Sequence, residues 1–435
     1  MIEQASLIPP QAFGFPAIIV GVTHPGKKTE GQTSMEELAA LLKTLKLTVG
    51  GRVILHTSRV SSSHFLGVGK VEEVRETIQR TGAKLVVVDH TLSGPQVRNL
   101  EKDLCVSIID RPGVILEIFA LHAKSKQAKT QVGIAQLEYL LPRLSGAWTH
   151  FQRQTGGGVA SRGMGEKQIE IDRRRVRERI ARLSKRLETI SKERMTQRKK
   201  RQAQLKVAIV GYTNSGKTTL MKGLTKSLEQ GEDALFATLD AQTRTLDPNA
   251  RPKVLMSDTV GFIHNLPHGL IESFKSTLDE VCCADLVLHV VDISSPDYLR
   301  QIETTESVLA ELGADHIPKF VFLNKTDQLD EAFLPNIVRR RFPDVTEGSA
   351  LNPKDVSKLR SKVLEFFAAR FPSAELSIPV EDQGAQSLVH SMCIVDEVDF
   401  QDSQDGYAQY KVRGQPEIIA QLSRYKKKRP RMVPI

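Results

Sequence analysis

From about Ala17 to Ala123, short β-branched runs alternate with amphipathic segments. Pro16-Ala-Ile-Ile-Val-Gly21 and Arg52-Val-Ile-Leu-His56 read as strands, and Ser34-Met-Glu-Glu-Leu-Ala39 opens a helix with a capping-box pattern. Gly67-Val-Gly-Lys70 turns the chain into a helix near Val71–Gln79, and strand Leu85–Asp89, helix Gln96–Leu104 and strand Val106–Asp110 follow. Alternation at this spacing predicts an N-terminal α/β domain over residues 1–125, built on a mostly parallel sheet. The Gly67–Lys70 turn is half of a phosphate-binding motif; it reads either as that or as an ordinary turn before a helix.

The period then changes. Ile134, Leu137, Leu140, Leu141 and Leu144 form one helical stripe that breaks near Pro142 and Gly146. From about Gly165, Ile169, Val176, Ile180, Leu183, Leu187 and Ile190 follow a seven-residue pattern, which is a coiled-coil seam. Two such helices joined by a loop predict an antiparallel helical hairpin over residues 126–204, with residues 145–164 at its tip. The tip holds Trp148, Phe151, Arg153, Gly156-Gly-Gly158 and Arg162. Aromatic planes and guanidiniums in a glycine-rich loop suit stacking on unpaired RNA bases; the alternative is that the two aromatics pack on the domain below.

The apolar run Val207-Ala-Ile-Val210 precedes Gly211-Tyr-Thr-Asn-Ser-Gly-Lys-Thr218, a phosphate-binding loop, and a helix follows it. Its glycines let backbone N–H groups close on a polyphosphate, Lys217 supplies charge, and Thr218 offers an oxygen to Mg²⁺. Phe236-Ala-Thr-Leu-Asp240 places Thr238 as a second hydroxyl for Mg²⁺. Strand Val254–Ser257 runs into Asp258-Thr-Val-Gly261, where the acid binds Mg²⁺ through water and the Gly261 N–H meets a γ-phosphate. Strand Leu286–Val291, helix Pro296–Leu312 and strand Phe320–Leu323 end in Asn324-Lys-Thr-Asp327. An aspartate there accepts from guanine N1–H and its exocyclic amine, a pattern adenine lacks, while Asn324 holds the loop and Lys325 covers the ring. Ser349-Ala-Leu351 stands where a backbone N–H would meet guanine O6. The expected nucleotide set is thus residues 211–218, Phe236, Ala237, Thr238, Leu239, Asp240, Asp258, Thr259, Val260, Gly261, Asn324, Lys325, Thr326, Asp327, Ser349, Ala350 and Leu351. Lys217, Thr238 and Gly261 are the expected catalytic residues. The nucleotide domain spans 205–371. Beyond it, alternating runs at Leu376–Val380, His390–Val395 and Ala408–Val412, then Pro416–Leu422, predict a small C-terminal α/β domain over 372–435.

Charge adds an RNA partner to this picture. The 435 residues carry a formal net charge of +10, and residues 151–204 hold 17 Lys and Arg against 6 Asp and Glu, an excess that accounts for all of it. A dense basic segment, including Arg173 and Arg174, points to phosphate backbones or to a solvated helix face. The tail Arg424–Arg431 packs six basic residues into eight positions, with the same two readings. Hydrophobic residues make up 40% of the chain, yet no run approaches the roughly 18 needed to span a bilayer. The N-terminus also lacks a signal-peptide plan, so a cytoplasmic location is expected. Cys105, Cys282, Cys283 and Cys393 form no C-x-x-C pair and are expected to be buried thiols of a reducing compartment.

Several stretches resemble the HflX-type GTPases of the Obg–HflX group. They are Gln154-Thr-Gly-Gly-Gly-Val-Ala-Ser-Arg-Gly-Met-Gly-Glu166, Gln168-Ile-Glu-Ile-Asp-Arg-Arg174, Phe236–Asp240 and Asp258-Thr-Val-Gly-Phe-Ile-His-Asn-Leu-Pro-His268. Met164 and Lys167 depart from the family pattern, which usually has Pro and a small polar residue there. The resemblance, from about residue 17 to 370, implies a GTPase that binds the large ribosomal subunit through its N-terminal and helical parts and separates stalled or idle ribosomes. It implies GTP and GDP as ligands and a monomer away from the ribosome. A GTP-gated scaffold for another RNA or a protein is the competing class.

Two positions shape the expected mechanism. Phe262 stands where small GTPases commonly carry glutamine, and a phenyl ring cannot orient water by hydrogen bonding. Slow unaided turnover follows, and Phe262→Gln or Phe262→Ala is expected to leave GTP affinity nearly unchanged. Asn214 resembles the residue that helps hold K⁺ in potassium-stimulated GTPases; the alternative is that it braces the loop.

Overall fold

The computed structural model describes residues 6–23, 28–56, 60–144, 161–199, 204–225, 235–236, 242–247, 250, 253–259, 261–263, 280–329, 340–342, 345–399 and 406–425. They form two compact units, one of residues 1–198 with 232–240 and 263–278, the other of residues 199–231, 241–262 and 279–435.

The first unit carries a parallel sheet of β1 (Ala17–Thr23), β2 (Val49–His56), β3 (Leu85–Val88) and β4 (Ser107–Asp110), in the order β2-β1-β3-β4. The β1 and β3 side chains are buried on both faces, so these strands read as continuous apolar runs without alternation. The helices are α1 (Lys28–Thr44), α2 (Val68–Thr81) and α3 (Gly94–Leu104). The capping box expected at Ser34 is not where α1 begins: Ser34 lies inside the helix, which starts at Lys28. A capping box does form at Ser93, whose hydroxyl accepts from the Gln96 N–H while Gln96 Oε1 accepts from the Ser93 N–H. Gly67 is the N-cap of α2 and Lys70 pairs with Glu73 one turn on, which is the ordinary helix start.

Sequence periodicity missed α4 (Arg111–His122), because its residues 111–119 are buried on every side and show no stripe. Asp110 caps it, accepting from the Gly113 N–H at 3.1 Å, and also accepts from Tyr139 at 2.7 Å, Arg143 at 2.8 Å and the Leu92 N–H at 2.9 Å. Burial, then the charge of Asp110, holds the Tyr139 phenol well above its ordinary pKa. Arg111, 1% exposed, is paired with Asp89 at 2.7 Å and with Glu37. Buried charges persist only when paired in this way.

Next come α5 (Lys126–Leu140), a 3₁₀ turn over Leu141–Arg143, and the long α6 (Ser161–Lys199). The second helix thus begins four residues earlier than expected. A side chain built on Gly133 of α5 would lie in van der Waals contact with Leu183 of α6, 3.7 Å away. Val176, 6% exposed, is the most buried described position of the α6 seam. The tip, with Trp148, Phe151 and Arg153, lies outside the described residues, as does the side chain of Arg162.

The second unit opens on a six-stranded sheet of order β10-β9-β8-β5-β7-β6. Its strands are β5 (Leu205–Gly211), β6 (Gln242–Thr245), β7 (Val254–Asp258), β8 (Leu286–Asp292), β9 (Lys319–Asn324) and β10 (Thr346–Glu347), parallel except for β6. Helices α7 (Lys217–Thr225), α8 (Tyr298–Glu311) and α9 (Pro353–Arg370) pack around it. Leu220, Leu224, Leu288, Phe322 and Leu359, each fully buried, join its core. Each such side chain contributes about 1.5–3 kcal/mol by leaving water.

The C-terminal part is an antiparallel sheet of order β11-β13-β12: β11 (Ser373–Pro379), β12 (Cys393–Asp399) and β13 (Tyr407–Gly414). Helices α10 (Gln383–Met392) and α11 (Pro416–Gln421) accompany it. His390 is therefore helical, and the strand expected from His390 begins at Cys393. The four cysteines are free, but only Cys393 is buried, with its thiol pushed up to about 11 by burial; Cys105 and Cys283 are exposed and Cys282 is half-buried. The expectation of four buried thiols fails because Cys105 and Cys283 sit at the ends of helical segments rather than on a packed face.

Candidate functional site

The site gathers at the carboxyl ends of the parallel strands, where open α/β sheets place ligands. The chain leaves β5 at Gly211, loops through Tyr212–Gly216 and enters α7 at Lys217. Gly211 sits at φ 151°, and a Cβ there would stand 2.2 Å from the Val290 carbonyl oxygen, so any side chain would push the loop off β8. Asn214 adopts the left-handed conformation (φ 59°) and is exposed.

Lys217 is 7% exposed, and its ammonium donates to the Tyr212 carbonyl at 2.7 Å. Burial lowers its pKa to about 8, partly offset by the charge of Asp258. Thr218 Oγ1 donates to Asp258 Oδ2 at 2.9 Å, so the hydroxyl at the start of α7 and the carboxylate at the end of β7 meet. Thr259, expected in the nucleotide set, donates its hydroxyl to the Ile209 carbonyl at 2.6 Å and is fully buried; it ties β7 to β5.

Gly261 closes the far side of the loop. A Cβ there would lie 3.0 Å from Lys217 Nζ and 3.0 Å from the Thr213 Cα and Cγ2. Phe262 follows with its ring buried, 2% exposed, and its backbone pairs with the loop: its N–H donates to the Gly211 carbonyl at 3.1 Å and its carbonyl accepts from Thr213 at 2.7 Å. The absent glutamine is thus replaced by a packing residue. Removing a buried phenyl ring costs about 3–5 kcal/mol, so Phe262→Ala is expected to loosen the loop it packs under.

Asn324 joins the phosphate loop to the base side. It is 2% exposed; its Nδ2 donates to the Ser215 carbonyl at 2.8 Å and its Oδ1 accepts from the Ala350 N–H at 2.8 Å. Lys325, at φ 64°, is paired with Asp292 at 2.7 Å. Asp327 is exposed in the short turn Thr326–Gln328. The Ser349 N–H donates to Asp355 at 2.9 Å and the Leu351 N–H to Ser349 Oγ at 3.2 Å, so all three amides of Ser349-Ala-Leu351 already have acceptors.

Phe236 belongs to the first unit: it is 3% exposed and its ring meets Phe119 of α4 edge-on, centroids 4.8 Å apart. Ala237, Thr238, Leu239, Asp240 and Val260 lie outside the described residues. Arg173 is half-buried on α6, while Arg174 is exposed and 3.8 Å from Glu178 one turn on, an exposed pair worth little.

Sequence reasoning missed three residues. Asp292 and Asp355 anchor the base-side loops, and nothing in a lone aspartate after a strand or in a first helical turn marks that role. His289 lies inside β8 at 1% exposure, and burial, with the charges of Lys319 and Lys217, lowers its pKa to about 3. Its signal was a histidine in the apolar run Leu286–Val291.

Comparison with known proteins matches residues 32–120 to the family described as GTP-binding GTPase N-terminal, 122–201 to GTP-binding GTPase Middle Region, and 206–325 to 50S ribosome-binding GTPase. The chain is 37% identical over 447 residues to GTPase HflX of Gluconacetobacter diazotrophicus, covering 94% of this chain and 97% of that protein. It is 36% identical over 361 residues to GTPase HflX of Escherichia coli, covering 81% and 82%. A crystal structure of a GTP-binding protein from Sulfolobus solfataricus in complex with GDP is 24% identical, with a TM-score of 0.43, covering 80% of this chain and 98% of that one.

Proposed function

Because the chain belongs to the HflX family and hydrolyses GTP, we propose that its GTP cycle governs binding to the large ribosomal subunit and the splitting of stalled or idle ribosomes. The observation that carries this reading is the match of residues 206–325 to the 50S ribosome-binding GTPase family. It is supported by the basic helix α6, which precedes the phosphate loop in sequence. Among the described residues, no helix is long and apolar enough to cross a membrane.

The hydrolytic steps follow from the loop. Lys217 places its charge against the β- and γ-phosphates, and Asn324 keeps the loop closed on its far side. The Thr218 hydroxyl and Asp258 carboxylate, 2.9 Å apart, are hard oxygen donors suited to Mg²⁺. A Mg²⁺ ion held there would supply positive charge to the phosphate oxygens. Asp327 selects guanine over adenine. Phe262 contributes no water-orienting group, so unaided turnover is slow and the ribosome accelerates it. Asn214, exposed at its turn, would hold K⁺ beside the phosphates; turnover should then be faster in K⁺ than in Na⁺ at equal ionic strength, and equal rates would remove the ion.

Light scattering of intact ribosomes tests the splitting step. The chain with a non-hydrolysable GTP analogue should lower the scattering, and the chain with GDP should not. Unchanged scattering in both favours the scaffold reading, in which GTP only times the release of another RNA or protein.

A further inference from the structure

Hydrolysis needs a group that holds the attacking water in line with the γ-phosphorus, and the buried ring of Phe262 cannot do so. Thr213 has what that ring lacks. The residue is 7% exposed, and among the described residues its hydroxyl has no hydrogen-bond partner. A hydroxyl buried and unpaired costs about 1–3 kcal/mol, so one in a phosphate loop calls for a partner that arrives with the ligand.

Geometry fixes which part of the ligand that is. A Cβ on Gly261 would stand 3.0 Å from Thr213 Cγ2 and 3.0 Å from Lys217 Nζ, so the threonine side chain and the ammonium converge on one face of Gly261. Lys217 reaches the β- and γ-phosphates; Thr213 therefore lies at the γ end. Its N–H is unavailable there, being bonded to the Phe262 carbonyl at 2.7 Å, and that bond also fixes the position of the side chain. The other unpaired hydroxyl of the loop, Ser215 Oγ, lies 3.0 Å from where a Gly211 Cβ would stand, beside the Val290 carbonyl rather than beside Gly261 and Lys217 Nζ.

We propose that Thr213 is a catalytic residue for GTP hydrolysis: its Oγ1 accepts a hydrogen bond from the attacking water and donates one to a γ-phosphate oxygen. In the step itself, the water oxygen bonds to the γ-phosphorus. The bond from that phosphorus to the β–γ bridging oxygen breaks, its electron pair leaving on GDP. The water proton passes to the phosphate product, and the threonine is regenerated unchanged. This rests on GTP hydrolysis by the chain alone and is independent of the ribosome.

The test compares Thr213→Ser, Thr213→Val and Thr213→Ala in the full chain without ribosomes, measuring single-turnover hydrolysis at saturating GTP and fluorescent GDP affinity. Valine keeps the shape and loses the hydroxyl, so its rate should fall about 10- to 100-fold, less than the roughly 100- to 1,000-fold for losing one oxyanion donor. GDP affinity should stay within about twofold, since the hydroxyl meets only the γ end. Serine should restore at least a third of the rate, and alanine should behave as valine does, which covers a poorly folding valine variant. Valine or alanine at the wild-type rate would overturn the proposal, as would serine and valine falling equally, because a steric role would then suffice.

Discussion

Replacing Asn324 with alanine removes the one side chain that, among the described residues, bonds to both the phosphate loop and the Ser349–Leu351 loop. The carboxamide is 2% exposed and makes two bonds of 2.8 Å, to the Ser215 carbonyl and from the Ala350 N–H. Both backbone groups would be left without that partner where water has little access, at about 1–3 kcal/mol each, giving a loss of about 2–5 kcal/mol. For a folding unit of this size each kcal/mol moves Tm by about 2–4 °C, so calorimetry of the nucleotide-free chain should show the transition of the second unit lowered by roughly 5–15 °C. GDP affinity should fall more than tenfold, because the loop closes on phosphate only while Ser215 is held. Asn324→Asp keeps an acceptor for Ala350 but loses the donor to Ser215, and should lose affinity to a similar degree. A Tm within about 1 °C of wild type, together with unchanged GDP affinity, would refute the stitching role.

Three further outcomes follow from the same geometry. Gly211→Ala, whose Cβ would stand 2.2 Å from the Val290 carbonyl, should abolish measurable GDP binding in equilibrium titration. Lys217, lowered to about 8 by burial, is largely neutral at pH 9 in the free protein, and a phosphate bound against it would restore its charge. Calorimetry of GDP binding in buffers of different ionisation enthalpy should therefore show proton uptake at pH 9 and close to none at pH 6.5. His289 binds a proton near pH 6.5 when unfolded but only near 3 when folded. The unfolded chain thus holds the extra proton in that window, and stability falls as pH drops through it, by up to about 1.4 kcal/mol per pH unit. His289→Phe should flatten this slope in denaturant titrations at pH 4–6.5.

The phosphate loop, Asp258, Gly261 and Asn324 are legible in sequence because each stands at or just past the end of an apolar strand, with a fixed residue type at a fixed spacing. What escaped was settled by tertiary packing. Helix α4 was invisible since a helix buried on all sides has no polar face to set a period. The start of α1 was misplaced because the Ser34 pattern looks the same inside a helix as at its cap. Phe236 reads as part of the nucleotide segment, yet its ring belongs with Phe119, nearly 120 positions away in sequence. In sequence Phe262 stands out only for the hydrogen-bonding group it lacks, while its burial shows what it does structurally. Thr213 reads in sequence only as one more residue of the phosphate loop, since only the fold reveals that its hydroxyl is both buried and, among the described residues, unpaired.

Co-sedimentation with purified large ribosomal subunits tests the central claim most directly. The chain bound to a non-hydrolysable GTP analogue should travel with the subunits, and the GDP-bound chain and the Gly211→Ala variant should remain at the top of the gradient. Equal comigration in all three states, or none with the analogue, would contradict it.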